Sequence, residues 1–262
     1  MAIAYLVGAF LVIAVPARVL MSVLASWRTR RRADPVDDAL RWRAAAAMAA
    51  VAALANVAPP ATDVVAYLGM PPGDDAGTAG DGGLAVTRFR AGRPPTVVFA
   101  RAALTGLSGT ALQSLAAHEL AHVIRRERSS AAARYGWLVG YLALMLAGAG
   151  LTVVALVAVP QLAGPALVAT MSAAVAFLGL QVAFDRREEI AADLFAVDLT
   201  RDLDAAAELM WFYEDNVARL VPDSGLGRAW ALFERRWFAT HPEPQARLAA
   251  MNRHLANEAT DS

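Results

Sequence analysis

The chain has 262 residues, a formal net charge of zero, 57% hydrophobic residues and 18% charged ones, against about 25% charged in an ordinary soluble domain. Balanced charge leaves no basic excess for nucleic acid, and a mean hydropathy of +0.41 points to a membrane protein. With no cysteine, disulfides, thiolate metal sites and cysteine nucleophiles are excluded, and any metal must be held by His, Asp or Glu.

All 24 basic residues are arginine, which with the abundant alanine suggests a GC-rich, bacterial genome. Ala2–Val15 is uncharged, and the apolar run resumes past Pro16 and Arg18 to Trp27, where Arg28, Arg30, Arg31 and Arg32 stop it. This predicts an N-terminal transmembrane anchor over 1–33. No basic residues precede the run and no small-residue cleavage site follows it, so a removed signal peptide is disfavoured. Residues 34–83 read as a basic loop, a doubtful membrane segment and a flexible loop. The doubtful segment is Ala44–Thr62, nineteen uncharged residues dominated by alanine, which offers little apolar surface to a bilayer. Six arginines lie between Arg28 and Arg43, and Arg125, Arg126, Arg128, Arg134, Arg186 and Arg187 flank a later apolar stretch. The positive-inside rule sets both clusters in the cytoplasm and requires an even number of crossings between them. Ala44–Thr62 is therefore expected in or against the membrane surface rather than across it.

Pro71–Gly83 has the glycine, proline and aspartate content of a mobile loop. Leu84–Arg90 then alternates loosely, Ala91–Pro95 carries turn residues, and Thr96–Ala100 is β-branched and aromatic, which together predict a β-hairpin. Ser108 or Thr110 can cap a helix that runs to about Arg128. That helix carries His118-Glu119-Leu120-Ala121-His122, two of the chain's four histidines. Positions i and i+4 lie one turn apart on one helical face, so both imidazoles reach a single ion while Glu119 projects beside it as a general base. This is the pattern of a zinc hydrolase with one Zn²⁺ per chain.

Tyr135–Phe184 is fifty residues without a charge, broken by Pro160, Gln161, Gly164 and Pro165. A bilayer core of about 30 Å takes roughly 20 helical residues per crossing, so this stretch predicts a transmembrane helical hairpin over 135–184. Residues 84–134 and 185–262 then form the two halves of one catalytic domain. Two imidazoles leave a catalytic zinc one protein ligand short, and Glu189 follows the hairpin directly. Glu189 and Asp193 share a helical face, whereas Glu188 is turned about 100° away. Glu189 is thus the expected third ligand, and Asp193 the acceptor that orients a liganding histidine. Trp211-Phe212-Tyr213 and Trp230, Phe233, Trp237 and Phe238 read as packing or interfacial residues.

In order, the H-E-x-x-H, the hydrophobic hairpin, Glu189-Ile190-Ala191-Ala192-Asp193 and His241-Pro242-Glu243-Pro244-Gln245-Ala246-Arg247 resemble the integral-membrane zinc endopeptidases of the HtpX and CAAX-prenyl-protease family over roughly residues 84–255. The resemblance implies a mainly α fold with a small β-sheet (α+β), in a multi-pass membrane protein whose metalloprotease-like domain is interrupted by the hairpin. It implies Zn²⁺ on His118, His122 and Glu189, Glu119 as base, His241 near the cleft stabilising the oxyanion, and Asp193 and Arg247 in support. No prenyl-recognition signature is visible, which favours protein quality control over CAAX processing.

The expected substrate is a protein or peptide, bound extended along an edge strand around Thr96–Ala100. The expected location is the cell membrane, with lipid bilayer as the other partner and the active site on its cytoplasmic side. A membrane signal transducer with a regulatory zinc-protease domain, and a noncatalytic scaffold with a vestigial metal site, are the alternatives. Short exposed segments disfavour the first, and the retained Glu119 disfavours the second.

Overall fold

A computed structural model describes residues 37–66, 83–89, 92–128, 131–218, 225, 228–229 and 241–261. The anchor expected over 1–33, all but the last residue of the Pro71–Gly83 loop, and Trp230, Phe233, Trp237 and Phe238 lie outside these residues. The described elements are mostly helical, with one small sheet. In chain order they are α1 (Asp38–Leu54), β1 (Ala61–Val65), β2 (Ala85–Arg88), β3 (Thr96–Ala100), α2 (Arg101–Gly106), α3 (Gly109–Arg128), α4 (Ala131–Ala158), α5 (Pro160–Thr200), α6 (Leu203–Ala218) and α7 (Pro244–Asp261).

The described residues fall into two compact units, 131–184 and 37–128 with 185–261. In the first, α4 and α5 are long and apolar enough to cross a membrane. They are separated at Val159, with Pro160 opening α5, the position where a missing N–H costs nothing. Tyr141 lies against Phe177 with ring centroids 6.0 Å apart. Gly148 sits so close to Thr170 that a β-carbon there would collide with it. Leu146, Val157 and Leu180 stay exposed.

The second unit contains the sheet. Its strand order is β1-β3-β2, with β1 parallel to β3 and β2 antiparallel to it. β2 and β3 are the expected hairpin, paired so that Ala85 faces Phe99 and Thr87 faces Val97. β1 has no counterpart in the sequence reading, and it changes the role assigned to β3. Thr96–Ala100 is the central strand, flanked on both sides, and cannot be the edge that receives a substrate. Its burial explains the composition: Val97, Val98 and Phe99 are fully enclosed, so the continuous β-branched and aromatic run marks a covered strand.

The alanine-rich stretch Ala44–Thr62 is divided between α1 and β1, and Ala44, Met48, Val51 and Ala52 pack into a core with Val97, Leu104 and Leu120. Small alanine side chains let α1 lie close to its neighbours. Asp37 caps the helix through a 2.9 Å bond from the Ala39 N–H. Arg43, one of the arginines read as a topological signal, donates to the Leu107 carbonyl at 2.6 Å and ties α1 to the entrance of α3. At that entrance Ser108 accepts from the Ala111 N–H at 3.1 Å, and Glu208 of α6 receives the Ser108 N–H and hydroxyl at 2.7 Å each.

Candidate metal centre

α3 is buried along most of its length, including His118 and Glu119, because α1, α6 and β2 pack around it. The helical spacing does what the sequence predicts. His118 Nε2 and His122 Nε2 are 3.2 Å apart. Glu189, in the part of α5 that belongs to this unit, straddles them, with Oε2 3.4 Å from His118 and Oε1 3.4 Å from His122. His118, His122 and Glu189 could therefore hold a metal ion. The donor set fits such an ion: two imidazole nitrogens 3.2 Å apart, each with one oxygen of the same carboxylate 3.4 Å away, are ligands of the kind that hold zinc.

The surrounding residues fix each donor. Asp193, one turn after Glu189, lies 2.9 Å from His118 Nδ1 and accepts the hydrogen bond of its N–H, which leaves Nε2 as the nitrogen that gives a lone pair to a metal once the ring is neutral. Arg247, in the first turn of α7, grips Asp193 with two hydrogen bonds of 2.6 Å. Pro244 and the Glu243 carbonyl open that turn, which explains why the conformationally restricted His-Pro-Glu-Pro run precedes it. Glu188 points away, as its helical position requires, and pairs with Arg125 at 2.9 and 2.7 Å. His241 reaches the centre through Nδ1, 2.6 Å from Glu189 Oε2.

The electrostatics favour positive charge where the three donors converge. Burial opposes the charged form of His118, but its bonds to Asp193 and Glu189 prevail and push the imidazole up to about 10. Burial likewise opposes ionised Glu189, yet His118, His122 and His241 hold its carboxyl far below the usual range. Asp193 is depressed too, because the guanidinium of Arg247 and the His118 imidazole outweigh its desolvation. A proton or a metal cation satisfies the same demand.

A cleft beside these residues is lined by Ala85, His118, Glu119, Tyr213, His241 and Arg247, among others. Two contributors were not visible in the sequence. Tyr213, read there as a packing residue, meets His241 edge-on with ring centroids 5.7 Å apart; Phe212 beside it packs against the core, and Trp211 is exposed. Thr87 of β2 lies 2.7 Å from Glu119 Oε2. The fourth histidine, His254, forms a separate donor group with Asp198 and Glu258. There the Arg201 guanidinium already pairs with Glu258, supplying the positive charge that a cation would bring.

Two imidazoles from one helix turn, a carboxylate from a second helix and a buried acid beside the histidines define a candidate centre of the metallopeptidase type. A family profile for peptidase family M48 matches residues 89–255, and the chain belongs to that family, which includes the HtpX-like and CAAX-protease-like metalloproteases. No curated protein and no solved structure matched the chain.

Proposed function

We propose that this protein is a membrane-embedded, zinc-dependent endopeptidase that hydrolyses peptide bonds in membrane-associated or misfolded proteins. The observation that carries the reading is the convergence of His118, His122 and Glu189 within reach of one ion, with Glu119 on the intervening turn. Zinc bound by these three residues would keep a fourth position for water and lower that water's pKa from about 15.7 to about 7.

The chain's own residues supply the remaining chemistry. Glu119 accepts the proton of the attacking water and passes it to the leaving amine. His241 holds Glu189 through Nδ1 and offers its second ring nitrogen to the developing oxyanion, an interaction whose loss costs about 2.7–4 kcal/mol in comparable sites. Asp193 keeps His118 in its metal-binding tautomer, and Arg247 keeps Asp193 ionised. The substrate backbone pairs with the outer edge of β2, which has no strand partner on that side among the described residues, and runs past Ala85 into the cleft. Only an extended segment can do this, so unfolded stretches are preferred. α4 and α5 anchor the chain in the bilayer, and the arginines flanking them favour the cytoplasmic face for the site.

The test is a detergent-solubilised preparation assayed for bound zinc and for degradation of unfolded casein. Wild-type protein should contain one zinc per chain and cleave. Glu119→Gln should keep the zinc and lose about 10²- to 10⁴-fold in rate. Undiminished cleavage by that variant would refute the mechanism.

A further inference from the structure

β2 meets α3 at the base itself. Thr87 Oγ1 lies 2.7 Å from the Glu119 carboxylate oxygen Oε2 and 3.2 Å from the Glu119 main-chain carbonyl. A hydroxyl has one proton, and the shorter contact, to the side-chain oxygen, takes it. Strand alternation places Thr87 on the same face as cleft-lining Ala85, with Val86 between them turned to the opposite face. A second contact fixes the same strand: the Arg126 guanidinium stacks 4.2 Å from the ring centroid of Phe89, just beyond β2.

We infer that Thr87 is a positioning residue for Glu119, holding one carboxylate oxygen so that the other is presented to the proton it must accept. The inference rests on the peptidase reading above. The terminal torsion of a glutamate is broad rather than confined to staggered wells. Although Glu119 is buried, its carboxylate needs a donor on one oxygen to define the direction of the other. Thr87 also stands on the strand whose outer edge receives the substrate in the proposed mechanism. A peptide paired to β2 is thereby registered against the same element that orients the base, so substrate placement and proton transfer share one mechanical link.

Two pairs of variants isolate the hydroxyl: wild type against Thr87→Val, which keeps the β-branched shape, and Thr87→Ser against Thr87→Ala, which differ by the oxygen alone. In each pair the member without the hydroxyl should lose about 10- to 100-fold in kcat, the scale of a small misplacement of a reacting group. KM and zinc content should stay close to those of its partner. Two pairs are needed in case Thr87→Val disturbs the sheet; the comparison of Ser with Ala then decides. Equal kcat within a folded pair overturns the inference, as does an active Thr87→Val alongside an impaired Thr87→Ser, which would make the methyl group's packing the important feature. Glu119→Gln in the same assay separates the two levels. If it is inactive while the hydroxyl variants match their partners, only the role of Thr87 falls; if it cleaves normally, the peptidase mechanism falls with it.

Discussion

Arg247 and Arg125 each grip a carboxylate with two hydrogen bonds, yet their loss should have very different consequences. The bonds are 2.6 and 2.6 Å from Arg247 to Asp193 and 2.9 and 2.7 Å from Arg125 to Glu188. Geometry barely distinguishes them; burial does. The Arg247 and Asp193 side chains are 6% and 3% exposed, whereas those of Arg125 and Glu188 are 43% and 34% exposed. Removing one partner of a buried pair strands a charge without solvent and costs about 3–5 kcal/mol, but an exposed pair is worth about 0.2–1 kcal/mol. Arg247→Met should therefore lower stability several-fold more than Arg125→Met, measured by urea denaturation in detergent with chelator present so that metal binding does not contribute. Because Asp193 orients His118, Arg247→Met should also weaken zinc binding about 10- to 100-fold in chelator competition, and Arg125→Met should not. Asp193→Asn combined with Arg247→Met should cost less than the sum of the single changes, since the stranded charge has gone. An Arg247→Met protein as stable and zinc-avid as Arg125→Met would refute the idea that Arg247 holds the metal centre through Asp193.

Two more outcomes follow from the site. Glu189→Ala should lose stoichiometric zinc while Glu188→Ala retains it, measured by metal analysis after dialysis; equal zinc in the two would defeat the helical-face assignment. The response to pH should reverse between metal-free and zinc-bound protein. His118 is raised from 6.5 to about 10 without metal, so its contribution is complete below about pH 6.5 and disappears as pH rises towards 10. Asp193 is depressed, so its contribution is present above the ordinary carboxylate range of about 3.9 and disappears as pH falls through its lower folded value. Between pH 6.5 and 10 the chelated protein should lose stability, while the increment from added zinc grows because liganding imidazoles must shed their protons. A pH-independent urea midpoint for the chelated protein across that window would count against the His118–Glu189–Asp193 cluster.

Local periodicity alone determined much of the site. A 3.6-residue turn puts His118 over His122 and Glu189 under Asp193, and it turns Glu188 away, whatever surrounds these helices; the long uncharged stretch likewise announced two apolar helices, broken at Val159 just before Pro160, whereas Gly164 and Pro165, read as part of the interruption, lie inside α5. The β2–β3 hairpin was legible because its turn residues separate two strand-like runs. Tertiary structure decided the rest, because a side chain's periodicity names the face it occupies and not the element that covers it. Ala44–Thr62 has the same apolar composition whether a lipid or a protein core receives it, and only packing against Val97, Leu104 and Leu120 makes α1 a core helix. β1 joins β3 in parallel across a long intervening segment, a pairing with no local turn to announce it, and so it moved Thr96–Ala100 from edge to centre. Thr87 and Tyr213 carry no motif. They became part of the site only when β2 and α6 folded against the helix that bears Glu119.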